Sequence, residues 1–436
     1  MPLSGSASGG AEQAQDRFWL LGAQATAVGL YLPPFRSPYA SPDVSFGPGP
    51  AGGWSFVGSL LAGANVWDGA IVVAMPEYAN GRGVPNTAGV AGYPDGNIIR
   101  VAKVGTEPYL ARLFFHQDFA LGPVEQPERG EPEAAFSPTG PLALRRGRAA
   151  SRIEITLGKF AATDFFDSAV ASSDPRHRFM NWSLMTNGAF DYAADTRGYT
   201  VGAVIAVEQP FWALRAGWTL MPTAANGPAL DLDLSHSSSL MVEGEARYQV
   251  SGNPGAVKLL YYRNRAHMGS YDEALAAAPP GQPPDIGAVE RVGAVKQGFG
   301  LLVDQRMGPI AGFLRAGWND GRTETFAFTE IDRSLSAGAE LPGSLWGRET
   351  DHAGLGVAVN GLAGSHARYL ESGGRGFQLG DGGLRYVPEV VGELWYGVRV
   401  SPDLELAADA QLLVNPGMNS DRGPAAVLGV RLHAHR

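Results

Sequence analysis

Residues Tyr199 to Met221 read YTVGAVIAVEQPFWALRAGWTLM. Successive strand side chains point to opposite faces, so Val201, Ala203, Ile205 and Val207 share one face, while Thr200, Gly202, Val204, Ala206 and Glu208 share the other. After a turn at Gln209-Pro210-Phe211, the pattern resumes with Trp212, Leu214, Ala216, Trp218 and Leu220 opposite Ala213, Arg215, Gly217 and Thr219. The segment predicts a hairpin with one greasy face and one polar face. Such a face covers a soluble core, or it meets lipid while its polar partner lines a lumen.

The same alternation recurs outward from this hairpin to both ends. Val242, Gly244, Ala246, Tyr248 and Val250 alternate with Glu243, Glu245, Arg247 and Gln249. The final stretch, AAVLGVRLHAHR, sets Leu428, Val430 and Leu432 against Arg431, His433 and His435. Such segments predict about sixteen strands, starting roughly at residues 18, 54, 70, 108, 151, 199, 212, 238, 256, 295, 309, 333, 352, 388, 403 and 425. Tight connections (Trp67 to Gly69, Gln209 to Phe211, Ser251 to Gly255, Gly308-Pro309, Ser401 to Asp403) alternate with long ones, of which residues 161–198 is an example. In an up-and-down meander, this puts all short turns at one end and all long loops at the other. Two segments, Leu121 to Ala150 and Pro342 to Asp351, are long where a turn is expected.

Composition removes several classes of function. The 436 residues carry a formal charge of −9 and no basic run, which argues against nucleic acid as the partner. There is no cysteine, hence no disulfide, thiolate nucleophile or thiolate metal site. No apolar run is long enough for a membrane helix. Residues 1–17 read as a flexible polar segment without a signal-peptide core. The eight histidines lie in no recognisable catalytic motif, and no GxSxG, HExxH or GxxxxGK sequence occurs. His433 and His435 share a strand face but have no third ligand nearby in sequence. The reading is therefore of no enzyme, no cofactor and no metal.

Two soluble β-sandwich domains would show the same alternation. Three features favour a membrane barrel instead. The apolar face persists for about ten residues per strand, the length of a tilted membrane strand. Aromatics collect at strand ends, at Trp67, Phe211, Trp212, Trp218, Trp318 and Tyr386. Long loops gather at one end. The expected fold is thus an all-β transmembrane antiparallel up-and-down barrel spanning residues 18–436, with short periplasmic turns and long extracellular loops.

The stretch from Gly158 to Gly202, GKFAATDFFDSAVASSDPRHRFMNWSLMTNGAFDYAADTRGYTVG, resembles the hallmark region of the carbohydrate-selective porins of Gram-negative outer membranes. FRSPYASP at Phe35, NTAGVAGYPDG at Asn86, NRAHMGSYDEAL at Asn264, WNDGRTETFAFTEIDRSLS at Trp318 and DRGPAAVLGVRLHA at Asp421 resemble the same family in the same order. The resemblance implies a sixteen-stranded outer-membrane barrel, narrowed by inward loops, that passes monosaccharides and small oligosaccharides by passive diffusion. It also implies outer-membrane lipid and the barrel-assembly machinery as partners, and leaves homotrimer and monomer both open. Family members usually finish on an aromatic residue, whereas this chain finishes on Arg436.

Sugars present dense hydroxyls, for which guanidinium and carboxylate groups are adaptable partners. The polar faces nominate Arg112, Arg215, Glu243, Glu245, Arg247, Arg263, Arg265, Arg315, Glu393 and Arg399 as pore-lining residues. Taken one at a time, such charges more often belong to a salt-bridge lattice that fills and stiffens the wall. The long loop at about 161–198 is the expected constriction, carrying Asp164, Asp167, Arg176, Arg178, Asn181, Trp182, Asp191 and Asp195. Phe165, Phe166, Phe179, Met180 and Phe190 would pin it, and Trp182 suits either a sugar-stacking plane or an anchor.

Overall fold

The computed structural model describes residues 19–40, 44–84, 88–97, 107–125, 148–326 and 330–436. The expected flexible segment at 1–17 lies outside them, as does most of the excursion at Leu121 to Ala150. Among the described residues, sixteen antiparallel strands close into one barrel in a simple meander. They are β1 (Trp19–Leu32), β2 (Ala51–Trp67), β3 (Ala70–Arg82), β4 (Tyr109–Ala120), β5 (Arg152–Phe160), β6 (Thr200–Glu208), β7 (Trp212–Thr219) and β8 (Ser238–Val250). The second half comprises β9 (Asn253–Met268), β10 (Arg291–Met307), β11 (Ile310–Asn319), β12 (Arg333–Pro342), β13 (His352–Gly361), β14 (Glu389–Ser401), β15 (Leu404–Val414) and β16 (Ala425–His435). Each starts within four residues of its expected position.

Closure runs from Gln24 opposite His435 to Tyr31 opposite Leu428, so the last strand seals against the first. Tight turns form where the sequence can tolerate left-handed backbone. Ser251 and Gly252 both have positive φ, at 50° and 78°, the pair that a two-residue hairpin with the right twist needs. The two irregular segments fall at the turn end of the barrel, and both are excursions within a correct strand count. One carries a small ribbon pairing Val124–Glu125 with Arg148–Ala149, and the other a short 3-10 turn at Gly343–Trp346.

Burial separates the two faces of the wall. In β16, Leu428, Val430 and Leu432 are exposed while Val427, Arg431 and His433 are buried. Exposed Leu and Ile residues outside and buried charges inside invert the arrangement of a water-soluble protein, as a lipid-facing wall demands. Trp67, Phe211, Trp212, Trp218 and Trp318 stay exposed near strand ends, as an interfacial girdle requires. Tyr386 does not join them, because it packs into a loop cluster and its hydroxyl accepts the Leu362 N–H.

The hydrophobic core lies within the barrel. Phe179, Met180 and Leu184, from the loop after β5, pack against Val28, Leu302, Phe313, Val391, Trp395 and Val427 of the wall. A second cluster joins Phe166, Trp182, Phe190 and Tyr192 of that loop to Val73, Phe114, Val204, Met241 and Tyr262. At the loop end, the helices Tyr271–Ala277 and Gly364–Glu371 pack together, with His366 stacked on Tyr271 at 4.2 Å.

Ile205 sits mid-strand on the outer face. Replacing it with Arg is expected to lower barrel stability by about 2–4 kcal/mol, while Val400→Arg near a strand end costs about 0–1 kcal/mol. Urea titration of the protein folded into lipid vesicles reads both values, and equal costs would contradict the assigned lipid face.

Candidate functional site

A sixteen-stranded barrel is wide enough to leave an aqueous lumen unless something fills it. Here the filler is the segment between β5 and β6, residues 161–199, which turns inward and is bonded around most of the wall. It starts with Asp164, whose carboxylate accepts both Arg112 Nε and Nη2, at 2.8 and 2.6 Å. Asp167 accepts from Arg315 Nε at 3.0 Å, and its own N–H donates to Glu243 at 2.8 Å. Lys258 donates to the Ser168 carbonyl, and Asp304 accepts the Val170 N–H at 3.2 Å.

At the loop's tip, Arg431 donates to the carbonyls of Pro175 and Arg178, at 2.9 and 2.6 Å. Arg178 in turn donates to Glu340 at 2.8 Å, and Arg176 reaches Glu77 at 3.4 Å. Glu393 accepts the N–H groups of Met180 and Asn181, at 2.6 and 2.9 Å. Asn181 also donates to Gln411 at 3.0 Å and caps the short helix Trp182–Met185 by accepting the Ser183 N–H. Asn360 donates to Ser183 Oγ at 2.7 Å. The loop is thereby tied to β3, β4 and every strand from β8 to β16.

Close packing against the wall requires small residues beneath the loop. Gly217, Gly356 and Gly429 face inward, and a Cβ added at each would lie 2.9, 2.8 and 2.9 Å from Phe166, Phe179 and Met180 respectively. Gly317 faces Asn187 in the same way. These glycines act as sockets for loop side chains, a consequence of lacking a Cβ.

Apart from Arg399, the expected pore-lining residues divide into three groups. Arg112, Arg315 and Glu393 point inward and hold the loop. Arg215, Glu243, Glu245 and Arg247 form a lattice near the turn end. Arg215 bonds Glu208, Glu245 and Glu243 at 2.7, 2.8 and 3.1 Å, and Arg247 bonds Glu208 and Glu245 at 2.6 and 2.7 Å. Arg399 has the inward register of Glu393 but is exposed at the end of β14.

Arg263 and Arg265 form the third group and require correction, because they project outward. Leu260, Tyr262 and Asn264 are the buried inner face of β9, so Leu259, Tyr261, Arg263 and Arg265 share the membrane-side face. Both faces of β9 are greasy over Leu259 to Tyr262, and the charges alone suggested the wrong phase. The two arginines lie beyond Tyr261, towards the loop end of the strand, where a charged group on the outer face is least costly.

Of the loop residues, Asp164, Asp167, Arg176, Arg178 and Asn181 all reach the wall as given above. Asp191 accepts the Phe326 N–H at 3.0 Å and lies 3.5 Å from Lys296. Asp195 accepts the Tyr199 N–H at 3.1 Å, with Lys159 Nζ 3.6 Å away. Trp182 is an anchor, only 7% exposed, between Tyr93 and Tyr192 at ring distances of 5.8 and 6.2 Å. Phe166, Phe179, Met180 and Phe190 are buried as expected of pins.

Sequence reasoning missed several groups of this network. Tyr109 and Tyr199 both donate to Glu77, the latter at 2.9 Å, and the Arg112 guanidinium lies 5.2 Å from the Tyr199 ring. Lys258 and Lys296 were also missed, and their inward orientation follows once the phase of β9 and β10 is known. In the loops above, burial pushes the Glu324 carboxyl up to about 7, opposed by the Gly269 N–H that it accepts.

A closed sixteen-stranded barrel with a charged lumen and an inward loop defines an outer-membrane channel. The family model for carbohydrate-selective porins of the OprB family matches residues 56–435, and the chain belongs to that family. It is a passive sugar porin of the bacterial outer membrane. A high-pH structure of Pseudomonas putida OprB is similar at TM-score 0.71 and 15% identity, covering 97% of this chain and 95% of that one. A low-pH structure of the same protein gives 0.50 and 12%, covering 97% and 93%. The search of curated proteins gives no match. The turn end is thus periplasmic and the loop end external.

Replacing Glu393 with Ala leaves two buried N–H groups without an acceptor, at a cost of about 1–3 kcal/mol each. The expected result is a folded barrel whose single-channel current in planar bilayers is noisier and larger than wild type. An unchanged current trace would show that this carboxylate does not hold the loop.

Proposed function

We propose that residues 161–198 constrict the lumen and that sugars pass along the loop's rim, where charged groups remain partly open to water. Arg112, Asp164, Arg176, Arg178 and Glu340 are the members of that rim. Their side chains are between 11% and 22% exposed, whereas Arg315 and its partner Asp167 are nearly sealed. The observation that carries the reading is the ring of bonds fixing this loop across the lumen. A fixed loop presents donors and acceptors at constant spacing, which sugar hydroxyls can exchange for water during passive transit.

In this reading Arg215, Glu243, Glu245 and Arg247 set the field at the periplasmic mouth and stiffen the wall, because each is already paired. The solutes are monosaccharides and small oligosaccharides, no reaction is catalysed, and no cofactor is needed. Outer-membrane lipid covers the apolar belt, and the barrel-assembly machinery inserts the chain. Nothing in the reading requires more than one copy.

Proteoliposome swelling tests the proposal. Glucose and maltose are expected to enter faster than amino acids and anions of matched size, and Arg112→Ala combined with Arg178→Ala is expected to reduce that preference. Rates that follow size alone would make this a general porin. An intact barrel that gives no swelling would favour polysaccharide export or a structural role.

A further inference from the structure

The tip of the lumenal loop meets the last strand through three imidazoles. His177 comes from the loop, while His433 and His435 are neighbours on the inner face of β16. One nitrogen from each can be chosen so that all three lie within 4.8 Å of one another. The His177 and His433 rings are 4.3 Å apart between centroids, and His433 and His435 are 5.5 Å apart. His433 is only 1% exposed, and its Nε2 has no hydrogen-bond partner, nor has the buried Nδ1 of His435. Buried ring nitrogens left unpaired are costly, and two of them beside a third imidazole call for a shared partner.

Two of the three rings are held from behind in the way metal-binding histidines require. His433 Nδ1 lies 2.8 Å from Thr26 Oγ1, across the seam that closes the barrel. His177 Nδ1 lies 3.5 Å from a Glu405 oxygen. Each contact helps to fix its ring and leaves Nε2 available as the ligand, the arrangement of a carboxylate or hydroxyl behind a ligating imidazole. We propose that His177, His433 and His435 bind a divalent transition-metal cation, zinc in the first instance, and that the ion fastens the tip of the loop to β16. Three neutral imidazoles select such borderline cations over calcium or magnesium, which take oxygen ligands. With metal–nitrogen bonds of about 2.0 Å, the rings need to close in by roughly 1 Å, and a fourth position stays open to water.

Sequence alone offered only the two histidines of the last strand, and the fold supplies the third from more than half the chain away. The binding claim stands on the three imidazoles, whereas any effect on sugar flow rests on the loop reading above. Calorimetric titration of the full chain in detergent with zinc chloride is expected to show saturable binding of a single ion. His177→Gln and His433→Gln should each weaken it by about tenfold or more. Cobalt in place of zinc should give the strong visible bands of a low-coordinate site in wild type but not in His177→Gln. Heat-modifiable migration on gels establishes that each variant is folded, and if one is not, the wild-type titration and cobalt spectrum decide the matter. Absence of saturable binding, or an affinity unchanged by His177→Gln, overturns the proposal. The sugar preference in proteoliposome swelling tests the loop reading separately, and its failure would leave the metal site standing.

Discussion

Within a lipid bilayer no water is available to hydrogen-bond the backbone, so every N–H and C=O of a spanning sheet must find a partner in the sheet itself. The seam between β1 and β16 meets that requirement by removing the two edges that an open sheet would leave. Much of the remaining architecture follows from closure. The outer face must be apolar, the inner face becomes the only place for charge, and sixteen strands enclose more space than their own side chains fill.

The lumenal loop resolves that surplus of space. It brings Phe166, Phe179 and Met180 into sockets on the wall, and its polar backbone is answered by inward Arg, Lys, Glu and Asn side chains. Buried charges normally destabilise unless paired and hydrogen-bonded. Here Arg315 and Glu393 are satisfied by the loop, and the loop would have no fixed path without them. Filling, charge compensation and selectivity are in this sense one arrangement, since the residues that anchor the loop determine where its open rim lies.

Period-two alternation and turn chemistry made the strands legible, because a strand exposed to lipid on one side and water on the other must alternate over its whole length. The class of site was legible as well, since charge recurred on one face. Its members were not always so. In β9, Leu259 to Tyr262 are apolar on both faces, because the inner face there packs on the loop, and Arg263 and Arg265 were assigned to the wrong side in consequence. Charge lists also could not separate Arg315, which clamps the loop, from Arg215, which joins a wall lattice, as both lie on the polar face of a strand. The glycine sockets were hidden for another reason. Gly217, Gly317, Gly356 and Gly429 look like ordinary small strand residues until the loop side chains above them are known.

The central claim is that residues 161–199 are held as firmly as the wall around them. Hydrogen exchange measured by mass spectrometry, on the protein in lipid nanodiscs, tests this most directly. The account predicts that peptides covering Phe179 to Phe190 exchange as slowly as those from β14 and β16, and far more slowly than the external segment Pro222 to Ser237. Rapid exchange across the loop, with the strands still protected, would contradict it.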